Sequence, residues 1–180
     1  MYRERMETLK EWKVSKNRKP LIIRGARQVG KTWLMKEFGK LYYEKCAYIN
    51  FDNNSRMDIL FNEEFDLDRI IQGLKIESGI NIEPENTLII FDEIQETPKA
   101  LKTLKYFYEN ANEYHIVAAG SLLGVAMHQG TSFPVGKVNF MDLMPLSFFE
   151  FLDALGQEHL LNLLKNNEFD MISVFNNKYK

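Results

Sequence analysis

The chain has 180 residues, 45% of them hydrophobic and 27% charged, with a formal net charge of -2. That length holds one domain, or one domain and the start of another, and the near-neutral balance excludes an overall basic bias toward nucleic acid. A single cysteine, Cys46, excludes a disulfide scaffold and a cysteine-built zinc site; no apolar run reaches the ~18 residues of a membrane span, and MYRERMETLK lacks a signal-peptide core, so a cytoplasmic protein without membrane contact is expected.

Tyr2, Met6, Leu9 and Trp12 recur at helical spacing and predict an amphipathic helix over 2–13. Residues 1–20 carry seven Lys or Arg against three Glu, a basic flank that reads either as a solvated helix face or as a contact for DNA or protein. Asn17 to Pro20 break the pattern. The apolar run Leu21, Ile22, Ile23 then leads into GARQVGKT, Gly25 to Thr32, and a helical stretch from Thr32 to Leu41 leads out. Strand, loop and helix in that order can wrap backbone N–H groups around a phosphate at the positive end of the helix. Gly25 and Gly30 let the backbone approach the anion, Lys31 reaches the β- and γ-phosphates, and the Thr32 hydroxyl is placed to ligate Mg²⁺. Ala26, Arg27, Gln28, Val29 and Trp33 complete the nucleotide-contacting set.

CAYINFD, Cys46 to Asp52, reads as a second strand, and 55–79 as mostly helical with Gly79 as its stop. TLIIFDEIQ, Thr87 to Gln95, is an uninterrupted apolar strand of the kind buried on both faces, ending in two acids. Asp92 is the candidate holder of Mg²⁺, and Glu93 the residue that orients or deprotonates the attacking water. Pro98 opens a helix, His115 to Ala119 forms a fourth strand ending at Gly120-Ser121, and Phe133 to Leu143 reads as a strand or hairpin. Residues 147–165 form one or two helices. Ser121 serves as a γ-phosphate reporter or as a helix N-cap, or both. Lys137 is a candidate phosphate contact weighed against a surface lysine, and Arg24 reads as a structural pair. His115, His128 and His159 lack ligand spacing.

Alternating strands and helices imply a parallel sheet with right-handed crossovers, and all three polar constellations fall at strand carboxyl ends, where such sheets bind ligands. An extra strand and helix between the Lys-bearing loop and the acidic pair resemble the P-loop class in which the strand after the acidic pair inserts between the two motif strands, which implies that place for the fourth strand.

The blocks RKPLIIRGARQVGKTWLMKEFG, TLIIFDEIQ, ALKTLKYFYE, HIVAAGSLLGVA and SFPVGKVNFMDLMPLSFFEFL together resemble the prokaryotic AAA-type P-loop ATPases that carry a C-terminal domain of unknown function. The resemblance runs from about Tyr2 to Gly156. It implies an α/β three-layer P-loop NTPase fold of the additional-strand, catalytic-glutamate class, with a mainly parallel five-stranded sheet ordered 5-1-4-3-2. The implied organisation is a helical flank at 1–19, an ATPase domain at 20–156, and a C-terminal helix and tail at 157–180 that begin a missing region. Gly25 to Thr32, Asp92, Glu93 and Ser121 are the implied site positions, with ATP and Mg as cofactors. Because relatives continue past the equivalent of Lys180, the chain reads as an isolated ATPase domain whose arginine finger comes from another subunit of a homo-oligomer or from beyond Lys180.

The expected activity is Mg-dependent ATP hydrolysis driving a switch or motor. A small-molecule kinase uses the same loop, but residues 122–137 contain Lys137 alone as a basic residue where an arginine-rich lid is needed. A GTPase lacks its NKxD sequence here. The third alternative is an ATP-binding module with DNA or protein partners and little hydrolysis.

Overall fold

The computed structural model describes residues 3–63, 65–120 and 136–174. Five strands form one sheet: β1 (Leu21–Arg24), β2 (Lys45–Asn50), β3 (Thr87–Asp92), β4 (His115–Ala119) and β5 (Asn139–Asp142). Their order is β2-β3-β4-β1-β5, and every pairing is parallel. This is the expected order, with β4 between the loop-bearing β1 and the acid-bearing β3. The carboxyl ends of all five strands therefore open on one edge of the sheet.

Helices α1 (Arg5–Val14), α2 (Lys31–Tyr42), α3 (Ser55–Asn62), α4 (Leu67–Ser78), α5 (Pro98–Asn110), α6 (Phe148–Ala154), α7 (Glu158–Lys165) and α8 (Phe169–Val174), with a short 3-10 turn at Ile94–Glu96, complete the described elements. Strand parity divides the core. Leu21, Ile23, Leu88, Ile90, Val117 and Ala119 pack with α1 and α2 through Leu9, Trp12, Leu34, Met35 and Phe38. Their odd-and-even partners Ile22, Ile89, Phe91, Ile116 and Ala118 pack on the other face with Phe61, Leu74, Leu104 and Phe107 of α3, α4 and α5. Successive strand residues point to opposite faces, so each strand feeds both layers. All six residues of β3 are buried, as a parallel strand covered twice requires.

Three expectations change in detail. The helical stretch expected over 55–79 is two helices, because Asp66 accepts the Arg69 N–H and starts α4 afresh; Gly79, at φ 68°, ends it as expected. The expected strand or hairpin over 133–143 is a single parallel edge strand, β5, within the described residues. The stretch expected as a C-terminal helix and tail, 157–180, holds a second helix, α8, after α7. Ser121 lies outside the described residues. No helix among them is long and apolar enough to cross a membrane.

Candidate functional site

β1 ends at Arg24, and the chain leaves the sheet through Gly25, where any side chain is excluded: a Cβ would sit 2.3 Å from the Leu143 carbonyl oxygen. Val29 is buried in the α1–α2 layer and pins the loop's far side, so its side chain is a core peg, and only its backbone is available to a ligand. Gly30, at φ 92°, turns the chain into α2 in a conformation that side chains disfavour. Gln28 is also left-handed, at φ 64°. Among the described residues no side chain caps α2, so its first N–H groups and the positive end of its dipole face outward at the loop.

Lys31 lies back across this loop. Its Nζ donates to the carbonyls of Gly25 at 3.0 Å and Ala26 at 2.7 Å. Burial pushes the ammonium below the ordinary lysine value, against the charges of Glu93 and Asp92, which raise it. Thr32, the next residue, donates from Oγ1 to Asp92 Oδ2 at 2.7 Å. Parity explains that meeting. Leu88 and Ile90 face α2, Asp92 follows them on the same side of β3, and the fourth strand's insertion leaves Asp92 facing the start of α2.

A strand continued by one more residue would have sent Glu93 to the opposite face. Instead Glu93 adopts φ 51°, a left-handed conformation rare outside glycine, which turns it back toward the loop. Arg27, Gln28, Gly30, Lys31, Thr32, Trp33 and Glu93 accordingly line one cavity of about 450 Å³. Of the remaining expected positions, Gly25 and Ala26 contribute carbonyls to Lys31, and Asp92 sits beneath Thr32.

Two residues outside the expected set join the site. Tyr48 on β2 donates its hydroxyl to Asp92 Oδ2 at 3.0 Å, while the Lys36 ammonium sits 3.6 Å from the centre of its ring. Burial, reinforced by the charge and hydrogen bond of Asp92, raises the Tyr48 phenol and keeps it a donor. Gln95 donates from Nε2 to Glu93 Oε2 at 2.6 Å and holds that carboxylate from behind. Tyr48 was traceable in principle, since it shares the α2-facing parity of its strand; Gln95 depends on the turn that follows Glu93. Lys137 pairs with Glu109 at 2.8 Å at the opposite edge of the sheet, so it is the surface lysine of the two readings. Arg24 pairs with Asp142 through two bonds of 2.9 Å.

A family model described as an AAA domain matches residues 17–152. No curated protein matches the chain. Among solved structures, the Walker-type ATPase PABY2304 of Pyrococcus abyssi superposes with a TM-score of 0.54 at 17% identity, covering 94% of this chain and 62% of that one. Drosophila ORC bound to DNA gives a TM-score of 0.52 at 17% identity, covering 96% and 55%. The Aeropyrum pernix ORC1 protein in complex with DNA gives 0.50 at 14%, covering 88% and 50%. At these identities the likeness is one of fold, and the chain spans between half and about three fifths of the chains it matches.

Proposed function

This chain belongs to the AAA domain family, and on that premise we propose that it binds Mg-ATP at Gly25 to Thr32 and hydrolyses it as a nucleotide-dependent switch or motor. The observation that carries the reading is the 2.7 Å bond between Thr32 Oγ1 and Asp92 Oδ2 beside Lys31, with Glu93 on the rim of the same cavity. A hydroxyl and a carboxylate oxygen in contact are the hard donors that Mg²⁺ prefers, and two protein ligands suffice where phosphates and water supply the others. Held by Thr32 and Asp92, such a cation would supply charge neutralisation to the phosphates.

The chain's own groups do the rest. The N–H groups of the loop and of the first turn of α2 hold the phosphates. Lys31 exchanges its two carbonyl partners for phosphate oxygens, which relieves the cost of a buried ammonium. Glu93, oriented by Gln95, accepts a proton from water approaching the γ-phosphate. An acid directly after the metal-holding Asp favours hydrolysis over transfer to a substrate hydroxyl.

The ATPase unit under this reading is 20–156, preceded by a helical flank, with a cationic partner supplied by a neighbouring subunit. The test is a pair of variants: Lys31→Ala abolishes binding of a fluorescent ATP analogue, while Glu93→Gln binds it and lowers turnover by roughly 10²–10⁴-fold. Chelation of Mg²⁺ has the same effect on turnover as Glu93→Gln. Equal ATP binding by Lys31→Ala and the parent would overturn the assignment, and ADP release that depends on an added acceptor would favour the kinase.

A further inference from the structure

Arg3 lies outside the stretch matched by the family, yet its side chain is only 4% exposed and all three of its nitrogens are committed. Nε donates to Glu150 Oε1 at 3.1 Å, Nη2 to the Met144 carbonyl at 2.7 Å, and Nη1 to the Val29 carbonyl at 3.0 Å. The last contact is inside the phosphate loop. In a trans peptide the C=O and the following N–H point in opposite directions, and the protein's described residues contain no cis bond. A guanidinium that holds the Val29 carbonyl therefore turns the Gly30 N–H to the other side, where Gly30 lines the cavity beside Lys31.

The clamp is itself built rigidly. Glu150 Oε1 also accepts the Glu4 N–H at 2.9 Å, and Oε2 accepts the Ser147 N–H at 2.9 Å, closing a capping box at the start of α6. Burial works to raise the Glu150 carboxyl, but donation from the Ser147 and Glu4 backbone, with the charge of Arg3, outweighs it and holds the group ionised. A planar fork with three fixed donors suits this junction, and a lysine cannot replace it.

We propose that Arg3 is a positioning residue for the nucleotide: it presets the Val29–Gly30 peptide for phosphate and, through Glu150, ties the loop to α1 and α6. The proposal rests on the ATP-site reading above. Because Glu150 neutralises Arg3 at 3.1 Å, the effect is one of geometry, not of added positive field. Displacement of a peptide donor by about 1 Å is enough to cost a large part of the affinity.

The test compares the parent with Arg3→Lys and Glu150→Gln, using binding of a fluorescent ADP analogue and the amide resonance of Gly30 in the ligand-free protein. Arg3→Lys, which keeps the charge, weakens ADP binding about tenfold or more and shifts the Gly30 amide. Glu150→Gln, which leaves the loop's own residues intact, moves both readouts in the same direction by a smaller amount. If Arg3→Lys does not fold, Glu150→Gln decides with the same two readouts. A parent that binds ADP, a Lys31→Ala that does not, and both clamp variants within about twofold of the parent with an unmoved Gly30 amide would overturn the proposal alone. A parent that does not bind ADP would remove the ATP-site reading and this one with it.

Discussion

The two faces of the sheet are built from the same strands and have different jobs. The face covered by α3, α4 and α5 is aromatic and aliphatic: Phe51, Phe61 and Phe91 pack edge-on or tilted at centroid separations of 5.2–6.0 Å, and Tyr114 packs at its margin against Phe107. The face covered by α1 and α2 is interrupted by buried polar groups, among them Lys31, Asp92 and His115. Parity decides the allocation. Even positions of β3 and odd positions of β4 look toward α2, so the strand that supplies Phe91 to one layer supplies Asp92 to the other. One face is stabilised chiefly by packing, with a few polar contacts such as Thr97 with Asp58 and Arg24 with Asp142, and the other buries polar groups that must be satisfied one by one.

The sharpest way to separate the faces is Phe91→Ala. It empties a fully buried site on the packing face and lowers unfolding free energy by about 3–5 kcal/mol in denaturant titration. ATP affinity of the folded protein stays within about twofold of the parent, since nothing of the cavity lining is removed. A large affinity loss in protein shown to be folded would break the comparison.

Acid probes the other face. His115 accepts or donates a 2.7 Å bond with the Tyr43 hydroxyl, and burial, helped by the charges of Arg18 and Lys13, lowers its pKa to about 4 from the ordinary 6.5. The unfolded chain takes up the proton first, so this contribution is fully present above pH 6.5 and is lost as pH falls toward 4. The loss is on the order of 3 kcal/mol at most. Denaturation of the parent and of His115→Asn across that window checks it, and the variant shows the shallower dependence.

Smaller effects sharpen the boundary. Tyr48→Phe removes one of the two hydroxyl donors on Asp92 Oδ2 and costs about 1–2 kcal/mol of stability, read from the denaturation midpoint. Arg24→Ala severs a two-bond ion pair at the rim of the packing face and costs under about 1 kcal/mol, because Asp142 is 55% exposed and the pair is open to solvent. A cost equal to that of Tyr48→Phe would show that a polar pair matters as much on that face as on the other.

Much of the fold was legible because its signals are local and periodic. The apolar run of β3, the glycines at 25 and 30 and the alternation of strands with helices each depend on a few neighbouring residues, and the strand order followed from the resemblance to a P-loop class with an inserted strand. The pairing of Thr32 with Asp92 was legible for the same reason, since each sits at a strand or helix end that the pattern locates. Glu93 was read as a site residue, but its turn back to the cavity was not, because strand parity alone points it the other way. The break between α3 and α4 was hidden by apolar spacing that continues across Asp66.

The amino-acid sequence by itself therefore determined the parallel sheet, the glycine loop at its edge and the acid that faces it, because strand parity and glycine geometry act over a few residues. Only the tertiary structure decided what braces them. Arg3 reaches Val29 and Glu150 across separations of 26 and 147 residues, and Tyr48 reaches Asp92 across 44. Such contacts leave no period in the chain, since they exist only once α1, α6 and β2 have been laid beside the loop by the crossovers of the sheet.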